Sequence, residues 1–103
     1  RFGVRDANDP IIRDSIEVID RVLKHDLPQG PGWRRYNHDG YGQKEDGGAF
    51  DGTGVGRCWP ILTGERGHYE VCAGRDPLPY LEAMARMASS GGMLPEQVWD
   101  AAP

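Results

Sequence analysis

The sequence predicts an all-α chain of three amphipathic helices separated by polar, glycine-rich loops, with no convincing strand. Three observations predict it. Aliphatic residues recur at helical spacing, most cleanly at Ile12, Ile16, Ile19 and Leu23. Two Asp-Pro pairs, Asp9-Pro10 and Asp76-Pro77, place an N-cap residue before a proline at the first helical position. Most of the 15 glycines fall between Gly30 and Gly74, which assigns much of the middle of the chain to loops.

The first helix follows Asp9. Ile11, Val18 and Val22 widen its apolar stripe, while Arg13, Asp14, Glu17, Asp20, Arg21 and Lys24 fill the opposite face. Leu27-Pro-Gln-Gly-Pro-Gly32 is a breaker cluster that stops the helix. From Trp33 to Phe50 neither helical nor strand periodicity persists. Trp33, Tyr36, Tyr41 and Phe50 argue for an ordered, ligand-side loop rather than disorder. A second helix is expected from an N-cap at Thr63 to about Gly74. Its Gly64 and Gly67 cost helix propensity and imply that another backbone packs closely there. The third helix follows Asp76-Pro77, with Leu78, Leu81, Met84, Ala85 and Ala88 as its buried stripe and Gly91-Gly92 as its end. Met84 and Met87 read as core filler, and Arg66 with Glu70 as an i,i+4 ion pair.

Composition narrows the functional classes. The net charge of −4, with both signs interspersed, offers no basic stripe for nucleic acid and no reason to meet an anionic membrane. No apolar run approaches the ~20 residues that cross a bilayer, and no signal-peptide pattern precedes Asp9. Arg1 in place of an initiator methionine implies a processed or cut start, and the compartment is undetermined. Cys58 and Cys72 are expected as two separate, partly buried thiols, with a single bridge as the alternative. His25, His38 and His68 lack paired metal-ligand spacing, so neither a metal nor another cofactor is expected. Asp51-Gly-Thr-Gly-Val-Gly-Arg57 superficially matches a dinucleotide loop, but its spacing is wrong and Pro60 follows too soon.

Gly91–Asp100, read Gly-Gly-Met-Leu-Pro-Glu-Gln-Val-Trp-Asp, carries the chemistry. Pro95 fixes φ and places Glu96 directly after a rigid corner. The residues leave two readings for Glu96: a carboxylate stabilising the N-terminus of a new helix, or a functional acid beside an amide and an indole.

Arg57-Cys-Trp-Pro-Ile-Leu-Thr-Gly-Glu-Arg-Gly-His-Tyr-Glu70, then Leu94-Pro-Glu-Gln-Val-Trp-Asp100, resembles glycoside hydrolase family 15, the family of bacterial glucoamylases and glucodextranases. The resemblance extends upstream through Arg35-Tyr-Asn-His-Asp-Gly-Tyr-Gly42 and covers nearly the whole chain. It implies an (α/α)6 barrel, of which residues 1–103 would be an incomplete, C-terminal part of the catalytic domain. It also implies an exo-acting hydrolase that releases glucose from the non-reducing ends of α-glucan with inversion. Glu96 matches the general base, while the general acid belongs to an earlier loop outside this chain.

An inverting glycosidase needs an acid for the leaving oxygen and a base that activates water from the opposite face. By the same resemblance Arg35 and Asp39 bind sugar hydroxyls, for which forked donors and carboxylate acceptors are suited. Trp59 and Trp99 either line the pocket, an indole face suiting the C–H face of a sugar, or sit in the core. The expected partner is an α-glucan or maltooligosaccharide. The isolated chain is expected to be inactive and to self-associate through its open helix faces. A glucodextranase acting on α-1,6 linkages and a non-catalytic helical sugar-binding module are the alternatives.

Overall fold

The computed structural model describes residues 3–101. In chain order it has α1 (Pro10–Leu23), a hairpin of β1 (Lys24–Leu27) and β2 (Gly30–Trp33), α2 (Pro60–Cys72) and α3 (Leu78–Met87). The three predicted helices are present, and the hairpin corrects the expectation of no strand. Its antiparallel register pairs Lys24 with Trp33 and Leu27 with Gly30. The prolines and glycines read as breakers are what let this hairpin pack. A Cβ at Gly30 would lie 2.6 Å from that of Ala83 in α3, and one at Gly32 would lie 2.8 Å from Leu27 Cδ1. Pattern alone misses such a strand because it alternates nothing and contains a proline.

α1 starts as expected, the Asp9 carboxylate accepting from Ile11 N at 2.9 Å. Its stripe, however, is not buried. Ile11, Val18, Ile19 and Val22 are exposed, and the helix has no buried residue. Polar contacts attach it instead. Asp20 accepts from Trp33 Nε1 at 3.0 Å and from Arg66 Nη2 at 2.7 Å, and Tyr69 donates to the Ala7 carbonyl at 3.0 Å. The predicted Arg66–Glu70 pair forms at 2.9 Å, with Arg75 on the other carboxylate oxygen.

α2 begins one turn before the expected cap, because Pro60 occupies its first position. Thr63 is therefore not a cap. It is fully buried and donates to the Pro31 carbonyl at 3.0 Å, fastening α2 to the hairpin. Gly64 and Gly67 do mark a close approach, made by α3 side chains rather than backbone. Added Cβ atoms there would meet Met84 Sδ at 2.8 Å and Tyr80 Cβ at 3.3 Å. α3 stops at Met87, where Ala88 turns extended, so Gly91-Gly92 does not cap it. Its buried residues are Ala83 and Met87, whereas Leu78 and Leu81 of the expected stripe are exposed. The packed face is thus rotated toward the hairpin and α2.

The core is small: Leu27, Cys58, Ala83, Met87 and Val98. It forms where the hairpin, the entry to α2, α3 and the Gly91–Asp100 stretch converge. Cys58 is buried and Cys72 exposed, both as free thiols, which corrects the expectation of two partly buried ones. No helix among the described residues is long and apolar enough to cross a membrane.

Candidate active site

Two loop systems, 34–58 and 93–101, meet at the start of α2. In the first, Arg35 holds Asp39 in a two-pronged ion pair, Nε to Oδ2 at 2.7 Å and Nη2 to Oδ1 at 2.8 Å. Such paired contacts fix the plane of a guanidinium as well as its position. Asp39 is buried and also accepts from Tyr41 N at 3.0 Å. Arg35 holds its carboxyl below the usual carboxylate range. The outer face of the pair is therefore Arg35, whose guanidinium carbon lies 4.7 Å from the Trp59 ring centre, 5.1 Å from Tyr41 and 5.3 Å from Tyr36. Tyr41 lies 6.1 Å from Trp59 and meets Phe50 edge-on at 5.4 Å. The loop expected to be ordered is ordered around this aromatic cage.

Gly56 completes it. Its N–H donates to the Asp39 carbonyl at 2.7 Å, and a Cβ there would lie 2.7 Å from the Asp39 carboxyl carbon. The glycines that superficially match a dinucleotide loop thus serve a crossing of two backbone segments, since added Cβ atoms at Gly54 and Gly40 would come closer still, 1.9 Å from the Gly42 carbonyl oxygen and 2.1 Å from that of Gly52.

Glu96 lies in the second loop, exposed, on the wall of a cleft of about 380 Å³ lined by Trp59, Pro60, Ile61, Met84, Leu94, Pro95 and Glu96. No helix includes Glu96, so its reading as a helix-terminal carboxylate is set aside. It has no ion pair among the described residues, and its side-chain contact is with Gln97 Nε2 at 3.5 Å. Trp59 joins the two loops, lining the Glu96 cleft while lying under Arg35. Trp99 is elsewhere. Arg57 stacks on it at 4.0 Å, and it does not line the Glu96 cleft.

Gln97, Arg34, Arg57 and Asp100 escaped sequence reasoning. The Gln97 amide accepts from Arg57 N at 2.8 Å and donates to the Tyr41 carbonyl at 3.0 Å. Next, Val98 N donates to the Cys58 carbonyl at 2.8 Å in an isolated bridge. Asp100, with no exposed side-chain surface, accepts from Arg34 Nη2 at 2.7 Å and Nε at 2.8 Å, and from Arg57 Nη1 at 3.0 Å. Cys58 Sγ donates to it at 3.4 Å. No local signal could pair residues 66 positions apart.

Burial raises the Asp100 pKa, but hydrogen bonds from Arg34 and Arg57 outweigh it and bring the carboxyl down to about 2. Burial, then the adjacent carboxylate, pushes the Cys58 thiol up to about 12. A folded-state pKa below the ordinary 3.8 means that Asp100 contributes full stability above about pH 4. That contribution is lost as pH falls toward 2. We expect acid unfolding in this range to begin at higher pH in Arg34→Gln, followed by circular dichroism.

No family model matches the chain. It is 51% identical over 100 residues to a glucoamylase of Clostridium sp. (strain G0005), a match covering 97% of this chain and 14% of that protein. The crystal structure of a bacterial glucoamylase complexed with acarbose matches 95% of this chain with a TM-score of 0.92 and 51% identity, again over 14% of the larger chain. Over nearly its whole length, in sequence as in backbone course, the chain is similar to a segment of bacterial glucoamylase.

Proposed function

We propose that this chain is the base-bearing part of an inverting, exo-acting glucoamylase-type hydrolase, a C-terminal portion of an (α/α)6 catalytic domain. The observation that carries the reading is the position of Glu96. It is an exposed carboxylate without an ion pair among the described residues, set after Pro95 on a cleft shared with Trp59. Such a group is free to take a proton from water. Its counterpart, the acid that protonates the leaving oxygen, comes from the larger protein, the two standing roughly 6.5–9.5 Å apart with water between. Arg35, stacked on Trp59, donates to glucosyl hydroxyls, and Asp39 acts through Arg35 by fixing its plane. The acarbose bound by the structural relative supports an oligosaccharide ligand.

The test is the anomer released from maltose by the full-length protein, followed by proton NMR. An initial excess of β-glucose over the anomeric equilibrium is expected; an initial excess of α-glucose overturns the inverting reading. The 103-residue chain alone is expected to release none. Preference for isomaltose over maltose would favour the glucodextranase alternative.

Helices taken from a ring lose their neighbours, and the exposed apolar residues of α1 support self-association of the isolated chain. Light scattering is expected to show mass rising with concentration. A constant monomer mass would refute this.

A further inference from the structure

We propose that Asp100 is a positioning residue for Glu96, its buried carboxylate tying together the three backbone segments that carry Arg35, Trp59 and Glu96. The proposal rests on the reading of Glu96 as the base.

Asp100 receives Arg34, the residue before Arg35, and Arg57 and Cys58, the residues before Trp59. Asp100 itself stands four residues beyond Glu96, and the intervening Gln97 and Val98 are fastened to Arg57, Tyr41 and Cys58. One carboxylate is thus one or two residues away from Arg35 and Trp59 along two segments, and closes the third around Glu96. Its side chain has no exposed surface, and the Arg57 side chain is 5% exposed. Arg57 Nε and Nη2 make no hydrogen bond; besides Asp100, Arg57 has the Trp99 ring at 4.0 Å and a longer ion pair to the exposed Glu45 at 3.7 Å. Burying ions is a poor route to stability compared with apolar packing. What a forked pair such as Arg34–Asp100 fixes well is geometry. A misplacement of about 1 Å at a catalytic group costs about 100-fold in rate.

Asp100→Asn keeps the shape but turns an amide N–H₂ toward a guanidinium. In the full-length protein, with maltooligosaccharide as substrate, kcat is expected to fall about 10- to 100-fold, with KM rising by a smaller factor as the segments of Arg35 and Trp59 loosen. Exchange of the Val98 amide is expected to accelerate by about 100-fold, reporting release of the segment. An unchanged kcat overturns the proposal even if that amide is deprotected. So does a lowered kcat with the amide still protected. Should Asp100→Asn fail to fold, Arg34→Gln leaves Arg57 on the carboxylate and is judged by the same two readouts. Retained turnover in Glu96→Gln would be a separate failure, that of the base reading. Val98 exchange would then still decide whether Asp100 holds the segment.

Discussion

Glu96→Gln in the full-length protein is expected to lower kcat on maltooligosaccharide by about 10²- to 10⁴-fold, the range over which a positioned acid or base contributes. Glutamine keeps the size and the hydrogen-bonding outline of the side chain but cannot take a proton from water. The expectation is clean because the structure gives Glu96 so little else to do. It is exposed, it has no ion pair among the described residues, and its contact with Gln97 is at 3.5 Å. Thermal stability and acarbose affinity should therefore stay near those of the parent, so that a lost rate reports chemistry rather than folding. Initial-rate kinetics beside calorimetry checks both halves. Turnover within about twofold of the parent would remove Glu96 from the acid–base pair.

Why the Pro95-Glu96 corner is legible in sequence, and the contacts around it are not, is a matter of range. Pro95 and Glu96 are adjacent, and the constraint that a proline imposes on its neighbour is local. Asp9-Pro10 was equally legible, since the cap it makes spans two residues. The register of α2 was not, because Thr63 has the chemistry of a cap and only the position of the hairpin makes it a donor to Pro31. Nor was the exposure of α1: a stripe announces that a helix can bury one face, and what covers it is a tertiary fact. The hairpin was hidden for the opposite reason. Gly30 and Gly32 weaken a strand on any local scale and strengthen this one by admitting Ala83 and Leu27 against the backbone. Arg35 and Asp39 were visible as a pair of types, through resemblance. That Asp39 spends its oxygens on Arg35 is a distance relation which sequence does not carry.

Gly42→Ala is expected to reduce kcat/KM on maltooligosaccharide by about 100-fold, mostly through KM. The residue is far from the Pro95 corner in sequence and carries no side chain, so the cause must be backbone. A Cβ at Gly42 would overlap the Val55 carbonyl and lie 3.0 Å from Gly56 N. Both are main-chain atoms, which cannot rotate aside. Segments 40–43 and 52–56 must then separate, and with them the Gly56 N–H that holds the Asp39 carbonyl at 2.7 Å. Asp39 fixes Arg35, and Arg35 rests on Trp59, so the displacement travels to the guanidinium proposed above to meet the sugar, through contacts each below 5 Å. Overpacking of this kind costs about 1–3 kcal/mol of stability. Gly42 does not have positive φ, so alanine suits its dihedrals and the clash acts alone. Gly47 reverses the case: its φ is +76° and nothing lies within 4 Å of an added Cβ. Gly47→Ala should strain one exposed turn by about 1 kcal/mol and leave kcat/KM unchanged. If the two variants behave alike, the crossing at Gly42 does not support the Arg35 site, and glycine content in this loop reflects flexibility alone.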